Sequence, residues 1–203
     1  MRILGVWAAA TTLCAAASAD VKAYSWTFDP RVPIPDAAPL DPNDPNSVVP
    51  GFAFIPLPIP DAGTVTAIEE VCIDIEHTFV SDLTVGLIGP DGITDVELID
   101  GDFVLDSDGV SGLYCFREGA PAFGSITNGT LIPTGTYGPN DDDGFSDFIG
   151  IEKFGTWQLG VFDLVEIDVG SIGGVSIRME NVPEPGTMAM VALAGALLAR
   201  RRR

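Results

Sequence analysis

The chain has 203 residues and is strongly acidic, with ten Lys and Arg residues against 29 Asp and Glu residues and a formal net charge of −19 at pH 7. A surface this acidic repels nucleic acid and anionic lipid, and it favours solubility or the binding of cations. The composition therefore excludes a DNA-binding or RNA-binding protein.

The first residues form a targeting segment. Arg2 precedes an apolar, alanine-rich run that ends in three small residues at 17–19. A basic start, an apolar run and a small-residue ending are typical of a secretory signal peptide. We therefore predict a signal peptide over residues 1–19, with Asp20 as the first residue of the mature chain.

Prolines dominate the segment that follows. Ten of them fall between residues 30 and 60. Proline breaks helices and is disfavoured in central strands. We therefore predict that residues 20–51 form an extended, semi-rigid lead-in ahead of the folded domain.

From residue 52 onward, short segments alternate apolar and polar residues, which is the period of a strand with one buried face. The apolar positions are Val71, Ile73 and Ile75, then Leu83, Val85 and Leu87, then Trp157, Leu159 and Val161, and finally Val175, Ile177 and Met179. With turn residues at short intervals, this pattern favours an all-β domain built as a β-sandwich. It leaves Greek-key and jelly-roll strand orders open.

Three motifs in this region carry a family resemblance. They are Ile75 to Thr78, Ser81 to Leu83 and Leu87 to Gly92. In type and spacing they resemble the P domain of proprotein convertases, and residues 137–139, 145–150, 155–163 and 168–172 look like its second half. Two departures are Gly160, which we expect to interrupt a strand, and an acidic insertion at residues 140–144.

The resemblance implies a jelly-roll β-sandwich of the galactose-binding-like kind over residues 52–180. It also implies partnership with a subtilisin-like protease, which P domains accompany and stabilise. A serine-endopeptidase label would follow from the family name and not from catalytic residues in this chain.

His77 is the one histidine of the chain, and it continues the apolar face of its strand. A Ser-His-Asp hydrolase needs a histidine positioned against its nucleophile, and the sequence has no nucleophile elbow, zinc-ligand cluster, P-loop or dinucleotide fingerprint. Two carboxylates would suffice for a glycosidase, but no pair is singled out. We therefore predict a protein that is not an enzyme.

Cys72 and Cys115 remain once Cys14 leaves with the signal peptide. An even number of cysteines in an exported chain permits one disulfide. The alternative is two buried thiols that act as small hydrophobes.

Two loops concentrate oxygen ligands that suit calcium. The candidate ligands are Asp106 and Asp108 in the first loop, near Asp100 and Asp102, and Asp141, Asp142, Asp143 and Asp147 in the second, which also contains Asn140. Neither loop completes an EF-hand pattern, because the distal glutamate is missing. Solvated acidic turns are the alternative.

The end of the chain combines three features in order. Pro183, Glu184 and Pro185 precede an apolar segment at residues 186–199, and four arginines follow. As a helix the apolar segment would span about 21 Å, short of the ~30 Å hydrocarbon core, so it would be a short hydrophobic helix that inserts into a membrane transiently.

Residues 181–203 resemble a PEP-CTERM sorting signal. The resemblance implies recognition by an exosortase and delivery to the cell envelope or extracellular matrix of a Gram-negative bacterium. Without both ends, five basic residues face 28 acids, so the mature chain has a net charge near −23.

From these features we expect an exported, non-catalytic P-domain protein with an adhesive or structural role, whose partner would be an exopolysaccharide. The alternative is a P domain that stabilises a separate subtilisin-like protease in trans.

Overall fold

The computed structural model describes residues 20–41, 43–101, 109–123, 131–141 and 144–182. The predicted signal peptide, the Pro183 to Pro185 motif and the apolar segment after it lie outside the described residues.

Eleven strands account for most of the described chain. They are β1 (Asp20–Ile34), β2 (Ala38–Asp41), β3 (Asp44–Val49), β4 (Gly51–Ile59), β5 (Thr64–His77), β6 (Leu83–Ile88), β7 (Asp95–Asp100), β8 (Val110–Phe116), β9 (Gly135–Tyr137), β10 (Gly155–Asp163) and β11 (Gly170–Val182). Short 3₁₀ turns cover Val80–Asp82 and Gly144–Phe148.

Two larger sheets face each other. One has the order β1-β11-β5-β8-β9 and the other β4-β10-β6-β7, while β2 and β3 form a separate hairpin. Neighbouring strands are antiparallel, except that β8 and β9 run parallel. The predicted all-β sandwich is confirmed.

The core lies between the two sheets and follows the alternation of the sequence. Ile73 and Ile75 of β5 and Trp157 and Leu159 of β10 are fully buried in one hydrophobic cluster. Burial of each such side chain stabilises the fold by about 2–3 kcal/mol. The Trp157 indole also donates a hydrogen bond to the Lys153 carbonyl oxygen at 2.9 Å, which satisfies its polar edge.

The structure differs from the predicted lead-in at β1. This strand pairs with β11 along most of its length, and Tyr24, Trp26 and Phe28 pack against the core. The register shifts between Thr27 and Val32, around Pro30. β1 is an edge strand, so a proline there costs no ladder hydrogen bond on its open side.

Gly160 also differs from its expected role, since it lies inside β10, opposite Phe54 of β4 and Gly86 of β6. The strand continues through it without a break.

Candidate functional site

The two predicted calcium loops start from the same place in the fold. The first follows the end of β7, and the second begins at Asn140, whose backbone N–H donates to the Glu97 carbonyl oxygen of β7 at 2.9 Å. The negative charges of Asp100 and Asp141 both raise the pKa of the Glu97 side chain. The two loops, more than 30 residues apart in sequence, therefore contribute to one acidic cluster, formed by Glu97, Asp100, Asn140 and Asp141.

Burial and the negative charge of this acidic cluster raise the pKa of Glu97. Burial, followed by the charge of Asp100 and a hydrogen bond with it, raises the pKa of Glu97 to about 7, and Asp141 adds to the effect. A cation would relieve this repulsion. Sequence reasoning named Asp141 but missed Glu97, because a lone glutamate in a strand carries no ligand motif.

The other predicted ligands fall into two groups. Asp106, Asp108, Asp142 and Asp143 lie outside the described residues. Asp147 is exposed in the 3₁₀ turn Gly144–Phe148. Within the described ranges, metal-ligand atoms come together as a group of three at Glu70, Cys72 and Cys115. The acidic cluster alone does not assemble such a group from its described side chains.

Cys72 and Cys115 are directly opposite each other in the β5–β8 ladder. Their sulfur atoms are bonded at 2.10 Å. A disulfide sulfur is not the thiolate that binds a metal, so the group formed with Glu70 is not a metal site.

A second polar group lies at the C-terminal end of β5, where His77 is the last residue of the strand. His77 Nε2 is 3.2 Å from Asp163 Oδ2, and both side chains are enclosed by protein. On the opposite side of the ring, His77 Nδ1 is 2.9 Å from the carbonyl oxygen of Phe79. The Phe79 N–H also donates to Nδ1 at 3.2 Å, so with Nδ1 as the acceptor the ring proton lies on Nε2, which donates it to the Asp163 carboxylate.

This geometry does not leave His77 available as a general base. Both ring nitrogens are engaged, and the ring is sealed from solvent. An open cleft of about 490 Å³ lies beside His77 and is lined also by Ser111 and Ser171, but the His77 side chain has no exposed surface in it. The two ring nitrogens bond to Phe79 and Asp163 and not to Ser171, whose Oγ accepts a hydrogen bond from Arg31 Nε at 2.8 Å.

Asp82 belongs to the same end of the sandwich. Its carbonyl oxygen accepts a hydrogen bond from the Leu164 N–H, next to Asp163, and its side chain is 7% exposed. Burial raises the pKa of Asp82 to about 6, and the neighbouring charges of Asp168 and Asp163 raise it further than His77 lowers it. Burial also raises the pKa of Asp163, while the hydrogen bond with His77 opposes that effect.

Comparison with known proteins identifies the end of the chain. Residues 181–203 match the PEP-CTERM protein-sorting motif. No curated protein matches the chain, and no P-domain family matches residues 52–180, so the P-domain resemblance stays a prediction.

The solved structures that are similar to this chain include two from Aeromonas sobria. The serine protease of Aeromonas sobria is 14% identical, with a TM-score of 0.40, and the match covers 80% of this chain and 26% of that one. The complex of the Aeromonas sobria serine protease with its chaperone gives 15% identity, a TM-score of 0.41, and coverage of 81% and 27%. The chain spans about a quarter of the length of these structures.

Within the described ranges, no helix is long and apolar enough to cross a membrane.

Proposed function

We propose that this chain is an exported, non-catalytic β-sandwich protein that an exosortase directs to the envelope or extracellular matrix of a Gram-negative bacterium, where its role is adhesive or structural. The match of residues 181–203 to the PEP-CTERM protein-sorting motif carries this proposal. The acidic surface of the mature chain fits a soluble cargo that stays clear of anionic lipid.

The His77 environment supports a non-catalytic role. An imidazole with both nitrogens engaged and no exposed edge cannot take a proton from an attacking hydroxyl group. In this protein the pair of His77 and Asp163 joins the end of β5 to the end of β10 and so stabilises the sandwich.

The sorting step is tested by replacing Pro183, Glu184 and Pro185 with alanine in the producing cell. We expect the variant to accumulate in the membrane fraction, because the exosortase no longer releases it. A matched control carries alanine at Pro56 and Pro58, which lie on an exposed strand face. Equal release of the motif variant and the control contradicts exosortase sorting.

A second candidate function is stabilisation of a subtilisin-like protease in trans, and one exposed loop favours it. Between β10 and β11, the loop exposes Leu164, Val165, Ile167 and Val169. Ile167 is 88% exposed and has a φ of 95°, a conformation that β-branched residues rarely adopt. The Asp36 carboxylate holds this backbone by accepting the Ile167 N–H at 3.0 Å. Apolar side chains held at a loop surface suit a protein partner.

Ile167→Gly distinguishes this second function. Glycine suits the positive φ, so the substitution removes the exposed side chain and keeps the backbone. The second function predicts that the native protein recovers one stoichiometric protease from the secreted fraction and that Ile167→Gly does not. An Ile93→Ala control, at another exposed isoleucine, should behave as native. Recovery of polysaccharide without a protease supports the adhesive role.

A further inference from the structure

The outer face of the four-stranded sheet carries three phenylalanines close together. Phe52 and Phe54 alternate on the edge strand β4 and are 57% and 47% exposed. Phe162 of β10 pairs in register with Phe52. The Phe54 ring centroid lies 5.9 Å from that of Phe52 and 5.6 Å from that of Phe162. We call these three residues the aromatic platform.

Gly160 lies beneath the aromatic platform. It lies opposite Phe54 in the ladder, and a Cβ atom there would come within 3.4–3.5 Å of the Phe54 and Phe162 rings and of Ile88. Because glycine has no side chain, the two rings extend across β10 and remain close to the sheet. On the other side of Gly160, its partner Gly86 of β6 also has no side chain. The sheet surface beside the rings is therefore free of protruding side chains at both positions.

The far side of the same face is acidic. Asp95, Glu97 and Asp100 of β7 are the register partners of Ile88, Gly86 and Thr84. Carboxylates on the same sheet face as the aromatic platform, separated from it by β6, repel nucleic acid, anionic polysaccharide and anionic lipid. They also disfavour dimerisation through this face, because it would bring together two acidic strands on two chains of high negative charge.

The exposed area is small for a protein partner. Phenylalanine side chains cover about 200 Å² each, so the open parts of Phe52 and Phe54 together present about 200 Å². A stable protein interface needs about 800 Å² per partner. An area of this size matches a few sugar rings. The chemistry also suits them, because the apolar faces of sugars stack on aromatic rings and carboxylates accept hydrogen bonds from their hydroxyl groups.

We propose that the aromatic platform of Phe52, Phe54 and Phe162, which shares its sheet face with the acidic strand β7 across β6, binds an uncharged polysaccharide. Sugar rings stack on Phe52 and Phe54. Their hydroxyl groups meet Gln158 of β10, which pairs with Ile88, Thr84 of β6, which pairs with Phe162, and the carboxylates of β7. The inference deepens the proposed adhesive role and rests on it, since it names the class of ligand that an exported matrix protein would hold.

Affinity electrophoresis of the mature secreted protein tests the platform. The probes are four neutral polysaccharides, namely dextran, laminarin, galactomannan and xylan, with alginate as the anionic comparison. We expect at least one neutral probe to retard the native protein and alginate not to. Retardation by none of the four neutral probes, or by alginate alone, overturns the inference.

Phe54→Ala provides the matched variant, and Phe154→Ala the control, since Phe154 is 58% exposed but lies outside the platform. We expect Phe54→Ala to weaken retardation about tenfold with an unchanged melting temperature, and Phe154→Ala to behave as native. Equal retardation of both variants overturns the inference. So does a native dimer in sedimentation that Phe54→Ala converts to a monomer.

If the motif variant at Pro183 to Pro185 changes location while no neutral polysaccharide binds, the sorting proposal stands and the platform proposal fails.

Discussion

His77 and Asp163 form an enclosed pair, with His77 Nε2 3.2 Å from Asp163 Oδ2. The pair joins the end of β5 to the end of β10, and these strands belong to different sheets. A single histidine thus serves as a tie between the two layers. Since Gly170 packs so closely on the imidazole that a Cβ there would collide with the ring, β11 also depends on the placement of His77.

Removal of the Asp163 carboxyl group should destabilise the fold strongly. Asp163→Ala leaves the buried imidazole without its partner, which costs about 3 kcal/mol in comparable buried pairs. Urea unfolding at pH 7 measures the loss. Asp95→Ala, at an exposed strand position, is the control and should change stability by less than about 0.5 kcal/mol. Equal effects of the two substitutions would show that the pair does not tie the sheets together.

Asp82 predicts a pH dependence of stability with a definite sign. Its pKa is about 6 in the fold against 3.8 ordinarily, so the folded state binds more protons between these values. Its contribution is therefore fully present below about pH 4 and is lost as the pH rises through about 6. Asp82→Asn should raise the free energy of unfolding by about 3 kcal/mol at pH 7.5 and leave it nearly unchanged at pH 3.5. A gain of equal size at both pH values would contradict this account.

The acidic cluster predicts an effect of calcium on the melting temperature. If the two loops bind calcium with a weak extracellular affinity, calcium at ten times the dissociation constant adds about 1.4 kcal/mol to stability. Melting curves at pH 7.5 with 5 mM calcium and with chelator measure it. Replacing Asp141, Asp142 and Asp143 with asparagine should abolish the difference. Identical native curves in calcium and chelator would leave the loops as solvated acidic turns.

The disulfide should contribute substantially to stability. Cys72 and Cys115 are 43 residues apart, and closing a loop of that length stabilises a fold by about 4 kcal/mol in the chain-entropy account. Reductant should therefore lower the urea midpoint of the native protein. The Cys72→Ala, Cys115→Ala double variant should unfold at the lower midpoint with or without reductant, and a reductant-dependent shift in that variant would point to another cause.

Much of the sandwich could be predicted from the sequence, because burial of one sheet face leaves a period of two. Ile73 and Ile75 in β5 and Trp157 and Leu159 in β10 show this period, and all four are core residues. The same period was present in Tyr24, Trp26 and Phe28, but the nearby prolines hid it. Only the pairing of β1 with β11 shows that these prolines lie in an edge strand, where they are tolerated.

The sites were less predictable, because they depend on strand register. The link between Glu97 and Asn140 requires the second acidic loop to fold back against β7, which no local pattern encodes. Phe52 and Phe54 alternate visibly in the sequence, whereas Phe162 joins them only through the register of β10 on β4. The period of two predicts His77 on the apolar face of its strand, and the residue is buried there, but its partner Asp163 could not be chosen among 29 acids.

The intact mass of the mature protein, purified from the secreted fraction, tests the central claim most directly. The account predicts a chain that begins at Asp20 and ends upstream of Met188, since the signal peptide and the sorting tail are both removed. Secreted protein that still ends at Arg203 would contradict exosortase processing.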